Sequence, residues 1–544
     1  MESSTGEKPV GDLEMAHTNS SPNETKNEFP TGKKLFLILL SNALAMFLVA
    51  LDRTIIATAV PHISDQFHSL NDIGWYASSY LITSCATQLI WGRIYTFYNV
   101  KYVYLAAVGL FEVGSVVCGA APSSDTFIVG RAIAGLGSSG IFSGSMILIT
   151  HVVPLHKRPM FVGMIGSIFG ISSIIAPLLG GAFTDKVTWR WCFYINIPIG
   201  VVAGIVLAIF LRLPSPTTSA SISKQITRLD PFGTLVFLPG IVCLLLTLQW
   251  GGSTYPWNDG RIIALFVVAG ILLIIFVCIQ IWRQEDATVP PRIIIQRSIA
   301  CSALYSFFLG GTMISLIYFL PLWFQAIKGA TPLHSGIDNL PLVLSLVVAT
   351  IIVGAVITNT GYYNPWMFAC STFMSIGAGL ITTFKTDTSS AKWIGYQVIF
   401  GLGLGMGMQQ AGLAAQAVLS KKDVSTGVSI MFFAQSLGGA LFICIGQAVF
   451  SNNLTQSLGK ISGIDTEIIL KAGATGLRHI VPGVLLPMVL SSYNTALSKA
   501  FIVALAAACF SIVSAIGVEW KNVKGLEHGG PSPENVPETP TEVV

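Results

Sequence analysis

The chain is 544 residues long and carries 30 Lys and Arg against 26 Asp and Glu, a formal net charge of +4; 52% of it is hydrophobic and 10% charged. With a mean hydropathy of +0.70 and apolar blocks of about 20 residues separated by short polar links, it reads as a polytopic membrane protein and not as a soluble domain. The small positive balance sits mostly in the links, where it sets orientation and does not indicate a nucleic-acid partner.

Residues 1–33 are rich in Ser, Thr, Asn, Glu and Pro and cannot bury enough apolar surface to offset ordering entropy, so a disordered cytosolic tail is expected. It has no basic start followed by an apolar core and a cleavage site, so the first helix itself directs insertion. That helix spans Leu35 to Pro61, and Lys33 and Lys34 before it favour a cytoplasmic start. It carries Asp52 and Arg53 past its midpoint. An ionisable residue at such depth costs at least about 2.5–3.5 kcal/mol, so its default reading is functional.

Further spans are expected near 73–94, 101–120, 126–150, 160–183 and 189–211, completing an N-terminal six-helix bundle over 34–212. Segment 213–292 opens with a polar cytoplasmic link and contains two extra spans, near 231–250 and 262–282. A C-terminal six-helix bundle over 293–518 follows, with spans near 298–326, 337–358, 363–384, 393–419, 425–451 and 499–518 and a long outer loop, 452–498; residues 519–544 form a second cytosolic tail. The count is about fourteen, an even number, and most Lys and Arg then fall on the cytoplasmic side with both termini. Asn453-Leu454-Thr455 is a glycosylation sequon on the outer loop, whereas Asn23-Glu24-Thr25 lies in the cytosolic tail and should be silent. The nine cysteines lie in or at the ends of apolar blocks, none at metal-ligand spacing, and read as packed thiols; Cys118 with Cys192 is the minor alternative of one disulfide.

The two six-helix sets look like copies of one unit. Arg131-Ala-Ile-Ala-Gly135-Leu-Gly137 in the fourth span matches Gln397-Val-Ile-Phe-Gly401-Leu-Gly403 in the twelfth, and Gly180-Gly181 in the fifth matches Gly438-Gly439 in the thirteenth. Two repeated bundles with a site between them are an architecture of secondary transporters.

The segments Leu51-Asp52-Arg53-Thr54-Ile55-Ile56-Ala57-Thr58-Ala59-Val60-Pro61, Gly92-Arg93-Ile94-Tyr95, Arg131 with Gly135 and Gly137, Ala176-Pro177-Leu178-Leu179-Gly180-Gly181 and Trp189-Arg190-Trp191-Cys192-Phe193-Tyr194-Ile195-Asn196-Ile197-Pro198 resemble the major facilitator superfamily. Within it they resemble the fourteen-helix drug:proton antiporters, in particular fungal exporters of toxins and secondary metabolites. The resemblance covers about Lys34 to Trp520. It implies an all-α fold of two six-helix bundles plus two extra central helices, and export of a small amphipathic organic compound by proton antiport. It also implies a monomer in the plasma membrane, or alternatively a vacuolar or vesicle membrane. One departure concerns the loop after the second helix, where the family usually has an acid and a Gly; here stand Thr96 and Asn99.

Among acids only Asp52 and Glu112 lie deep in the expected spans. Arg131 lies six residues in from Asp125, and Asp52 nine residues in from Pro61; at 1.5 Å per residue the depths are about 9 and about 13 Å, within reach of one another. Asp52 and Arg131 are thus candidates for proton coupling, the alternative being a fixed ion pair between two helices. Glu112 reads equally as a second protonatable site or as a permanently neutral carboxyl. Gly92, Arg93, Gly135, Gly137, Gly166, Gly170, Pro177 and Gly181 form the conformational or packing motifs, bending and tight packing being inseparable in sequence. By the resemblance, spans one, four, nine and twelve line the cavity, which assigns Gln397 and Gln409 to it with Tyr305, Phe308 and Tyr318, and Gln88 from the second span; interhelical bonding is the alternative for the glutamines.

No phosphate-binding loop and no soluble block for a nucleotide-binding domain is present, so the energy source must be an ion gradient, with no cofactor. Neither a His-rich metal cluster nor a Ser/His/Asp set supports an enzyme. The alternatives kept are a proton-coupled importer, for example of an iron chelate, and a non-transporting receptor on the same scaffold.

Overall fold

The structure is a computed structural model, which describes residues 29–69, 72–213, 228–252, 255–461 and 481–524. The two tails, the polar link after residue 213, and most of the outer segment after residue 461 lie outside the described residues, as does Asn23. In chain order the helices are α1 (Gly32–Phe67), α2 (Ile73–Phe97), α3 (Val100–Ala120), α4 (Ser124–Val152), α5 (Arg158–Lys186), α6 (Trp191–Tyr194), α7 (Asn196–Phe210), α8 (Pro231–Trp250), α9 (Gly260–Arg283), α10 (Pro291–Ile294), α11 (Arg297–Trp323), α12 (Pro332–Asp338), α13 (Leu340–Thr360), α14 (Asn364–Ile381), α15 (Ser390–Gly407), α16 (Gln410–Val418), α17 (Val424–Leu458) and α18 (Leu486–Ile516).

Among the described residues twelve helical segments are long and apolar enough to cross a membrane. The expected spans near 73–94 and 363–384 are helices too, α2 and α14, but fall outside that set. α2 carries Ser78, Ser79, Thr83, Gln88 and Arg93, and the 18-residue α14 carries Asn364, Ser371, Thr372 and Ser375, which lower its hydropathy.

The same helix pairs pack in each half, confirming the repeat seen in the motifs. In the first, α3 and α2 lie against α4, and α5 against α1; in the second, α14 and α13 lie against α15, and α17 against α11. The halves meet along two seams, α2 with α17 and α5 with α13, and the extra helices α8 and α9 pack on each other and, through α8, on α2 and α17. Glycine sets these approaches: a side chain at Gly114 would strike the α4 backbone at Ala134, one at Gly438 the α11 carbonyl of Phe307, and one at Gly163 the α13 carbonyl of Thr350. Without a water-driven hydrophobic effect inside lipid, such close backbone contact supplies the packing energy.

Three boundaries differ from the sequence expectation. α1 does not stop at Pro61 but runs to Phe67, ending at His68 with φ 51°; proline within a helix is tolerated in membrane proteins. The last helix starts at Leu486, not near 499, so 452–498 is no continuous loop. Its polar stretch is held by tertiary bonds that composition does not reveal: Asn494 accepts from the Trp323 indole at 2.8 Å and donates to the Phe384 carbonyl at 2.9 Å. Asn453, expected in that loop, lies inside α17, its amide donating to the Val449 carbonyl at 2.8 Å. All nine cysteines are unpaired, including Cys118 and Cys192.

Candidate functional site

The apolar run of α1 leaves few polar groups to satisfy. Its hydroxyls turn back on the helix, Thr54 donating to the Ala50 carbonyl and Thr58 to that of Ile55, both at 2.8 Å. Asp52 is therefore left to bond outward, and it is completely buried. Its Oδ2 accepts from Arg131 Nη1 of α4 at 2.5 Å. Arg131, 1% exposed, also donates through Nε to the Tyr76 carbonyl of α2 at 3.0 Å and lies 4.4 Å from the Tyr80 ring centroid. Gly135, one turn on, lets α4 come this close to α2: a side chain there would strike the Tyr80 carbonyl and the Thr83 hydroxyl. The depth arithmetic thus identifies two residues that are bonded.

The other oxygen of Asp52 has a partner the sequence reading did not assign. Asn196 opens α7 after a one-residue break from α6, a break that Pro198, with no amide hydrogen to donate, favours. The fully buried Asn196 amide donates to Asp52 Oδ1 at 3.5 Å and to the Ser115 hydroxyl of α3 at 3.1 Å. Its signal in the sequence was an amide between two apolar half-helices. Glu112 stands one turn before Ser115, and its carboxylate abuts Gly200, one turn beyond Asn196 on α7. Both Glu112 oxygens are buried and lack a hydrogen-bond partner among the described residues.

The six cavity candidates are not brought together. Gln88 hydrogen-bonds Ser143 of α4, whose hydroxyl is 3.4 Å from that of Ser429 on α17, so it borders the seam between halves. Gln409 also borders a seam: it stands at the break between α15 and α16, and a side chain at Gly166 of α5 would meet it. Tyr305 and Gln397 are buried inside the second bundle, Tyr305 against Gly407 and Cys370, Gln397 donating to the Asp338 carbonyl at 3.0 Å. Tyr318 is 48% exposed and Phe308 stacks on the exposed Phe510, so both face the bundle's outer flank. The reason is helical phase: Tyr305, Leu309, Thr312, Leu316 and Phe319 form the buried stripe of α11, and the two expected aromatics lie off it.

The motif glycines divide similarly. A side chain at Gly92 would strike Ser429 across the seam, one at Gly137 the α3 backbone, and one at Gly170 Val347 of α13. Gly181 has open space around it; its neighbour Gly180 is the position pressed on α1, against Thr58. Pro177 lies inside α5, which continues through it. Arg93 at the end of α2 donates to the carbonyls of Arg228 at 2.9 Å and Glu285 at 3.3 Å, which flank α8 and α9. Among the described residues no group of three or more His, Cys, Asp or Glu gathers for a metal.

Comparison with known proteins agrees with this architecture. The Rubrofusarin-specific efflux pump aurT of Gibberella zeae is 56% identical over 503 residues, 92% of each chain, and the efflux pump aflT of Aspergillus parasiticus is 50% identical over 498 residues, 91% of this chain and 97% of that one. Among solved structures, the proton:xylose symporter XylE superposes with a TM-score of 0.57 at 15% identity, covering 91% of this chain and 98% of its own. The human organic anion transporter MFSD10 gives a TM-score of 0.57 at 12% identity over 88% and 100%; at such identities the likeness concerns the fold. The family model matches residues 43–443, and with the repeated bundles it shows that the chain belongs to the Major Facilitator Superfamily.

Proposed function

We propose that the protein exports a small amphipathic organic compound, of the kind fungi make as secondary metabolites, in exchange for protons. The observation that carries the coupling is the buried Asp52–Arg131 pair in α1 and α4. An acid beside Arg stays charged and an acid in a closed apolar pocket is neutralised, so movement around Asp52 can load and release a proton. Glu112 is the second carboxyl in the spans. Direction and substrate class follow from the identity with named efflux pumps. Both bundles lie in one chain, so a monomer suffices. We assign both termini to the cytoplasmic side of the plasma membrane, fourteen spans with α2 and α14 included, and a substrate path along the seams that Gln88 and Gln409 border.

The test uses inside-out vesicles bearing the full chain, with rubrofusarin, the compound named for the 56%-identical relative, as the first probe of an aromatic panel. Uptake should follow an inwardly acidic gradient and stop when it is dissipated, even with ATP present. Uptake of any panel compound that needs ATP and ignores the gradient would exclude this reading.

A further inference from the structure

The seam between α3 and α7 contains buried polar atoms that packing does not explain. Glu112 presents two partnerless carboxylate oxygens against Gly200, and the Asn196 side-chain oxygen Oδ1, one turn away, is also buried without a partner among the described residues. An ionised carboxylate so placed has no donor among the described residues, a cost far above that of the neutral acid. The Asn196 amide, in the same seam, reaches Asp52 Oδ1 and the Ser115 hydroxyl. The seam's outer flank, with Val113 and Val116 of α3 and Val201 and Ile205 of α7, is exposed and apolar, so the carboxyl is covered by the bundle on one side and lipid-facing side chains on the other.

We infer that Glu112 is the resting proton store of the coupling site, neutral while Asp52 is ionised on Arg131, and that Asn196 is the positioning residue that keeps Asp52 Oδ1 turned toward it. This rests on the proton-antiport reading and deepens it. The transfer takes place when the α3–α7 seam parts and the Glu112 anion gains solvent: the Glu112 O–H bond breaks, an O–H bond forms on Asp52, the negative charge passes to Glu112, and Arg131 loses its anionic partner. The titratable and charged groups around the seam are Asp52 and Arg53 of α1, Tyr80 of α2, Cys118 of α3, Arg131 of α4 and Cys192 of α6, and Arg131, bonded to Asp52, supplies the positive charge that holds it ionised.

Infrared pH titration of the full chain in lipid nanodiscs tests this without a substrate. At neutral pH the wild type should show a protonated-carboxyl band that shifts when glutamate side chains are labelled with carbon-13, disappears in Glu112→Gln and persists in Asp52→Asn. Asn196→Leu should move the pH midpoint of that band, which a purely packing role would not do. A band that ignores the glutamate label, or that survives in Glu112→Gln, overturns the inference, as does an unmoved midpoint in Asn196→Leu for the positioning role. Failure of the antiport reading is separate: it would appear as gradient-independent flux in the vesicles, whatever the infrared result.

Discussion

At the scale of single residues, Asp52 and Arg131 answer differently to substitution because their remaining partners differ. Asp52→Asn cannot titrate, yet Arg131 keeps the Tyr76 carbonyl and the Tyr80 ring, so the chain should reach the membrane folded while gradient-driven flux is lost. Arg131→Ala strands a carboxylate whose only other donor among the described residues is the Asn196 amide at 3.5 Å, and removing one member of a buried pair costs about 3–5 kcal/mol. Arg131→Lys keeps the charge but not the planar guanidinium that divides itself between Asp52 and Tyr76, and should fall between. Thermal unfolding in detergent beside vesicle flux separates these outcomes; normal flux in Asp52→Asn would make the pair structural only. The pair was legible because depth along a helix is countable from sequence at a fixed rise per residue. Asn196 was not, because its role depends on where α7 restarts after the break, and Phe308 and Tyr318 were misplaced because residue type says nothing of helical phase until the packing partners of α11 are known.

At the scale of elements, the extra helices do more than lengthen the chain. Thr96 stands where the family resemblance leads one to expect an acid, and its hydroxyl is 3.4 Å from that of Thr426 on α17, a contact without charge. Charge enters instead through the segment after α9. Arg292 grips Asp423, the residue before α17, with two bonds of 2.8 Å and Glu285 with one of 2.6 Å, while Arg93 binds the carbonyls flanking α8 and α9. Burial alone would raise the Asp423 carboxyl, but the bonds from Arg292 and Ser420 outweigh it and hold it below the usual carboxylate range. A carboxylate depressed in this way contributes its stabilisation at neutral pH, and the contribution is lost as pH falls through the lowered value. Asp423 acts on the α2–α17 seam through its attraction to Arg93 of α2, and for a solvent-accessible pair such a contribution is at most about 1 kcal/mol, or about five-fold in the closed-to-open ratio of that seam. Asp423→Asn should therefore slow oxidative cross-linking between cysteines placed at positions 96 and 426 by up to that factor, and strong acid should do the same to the wild-type pair. Equal rates in both chains would show that the seam closes by packing alone. The missing acid at Thr96 was visible in the sequence; its replacement was not, because Arg292 and Asp423 are 131 positions apart.

At the scale of the whole molecule, the crossing number turns on α2 and α14. Each half repeats the same packing, so α2 and α14 must cross if their neighbours α4 and α15 are to run as the repeat requires. At 1.5 Å per residue the 18 residues of α14 reach about 27 Å, close to the roughly 30 Å hydrocarbon core, and its neighbours in the bundle shield its polar residues: Ser371 hydrogen-bonds Ser511 at 2.8 Å and Asn364 donates to the Val518 carbonyl at 3.1 Å. α2 is longer, and its polar face is spent on α4, with Thr83 donating to the Ala132 carbonyl and Thr87 bonded to Ser139. Both helices thus turn most of their polar residues into the protein. The parity of the termini cannot decide the matter, since removing two crossings leaves an even number. Pairs of single cysteines can. In a chain freed of its own nine cysteines, cysteines replacing His68 and Tyr102, beyond the two ends of α2, should react with an impermeant maleimide from opposite faces. Cysteines replacing Tyr362 and Asp387, around α14, should do likewise, with Tyr102 and Tyr362 sharing the cytoplasmic face with both termini. Labelling of either pair from one face would remove that helix from the membrane, and labelling of Tyr102 and Tyr362 from the outside would reverse the whole orientation.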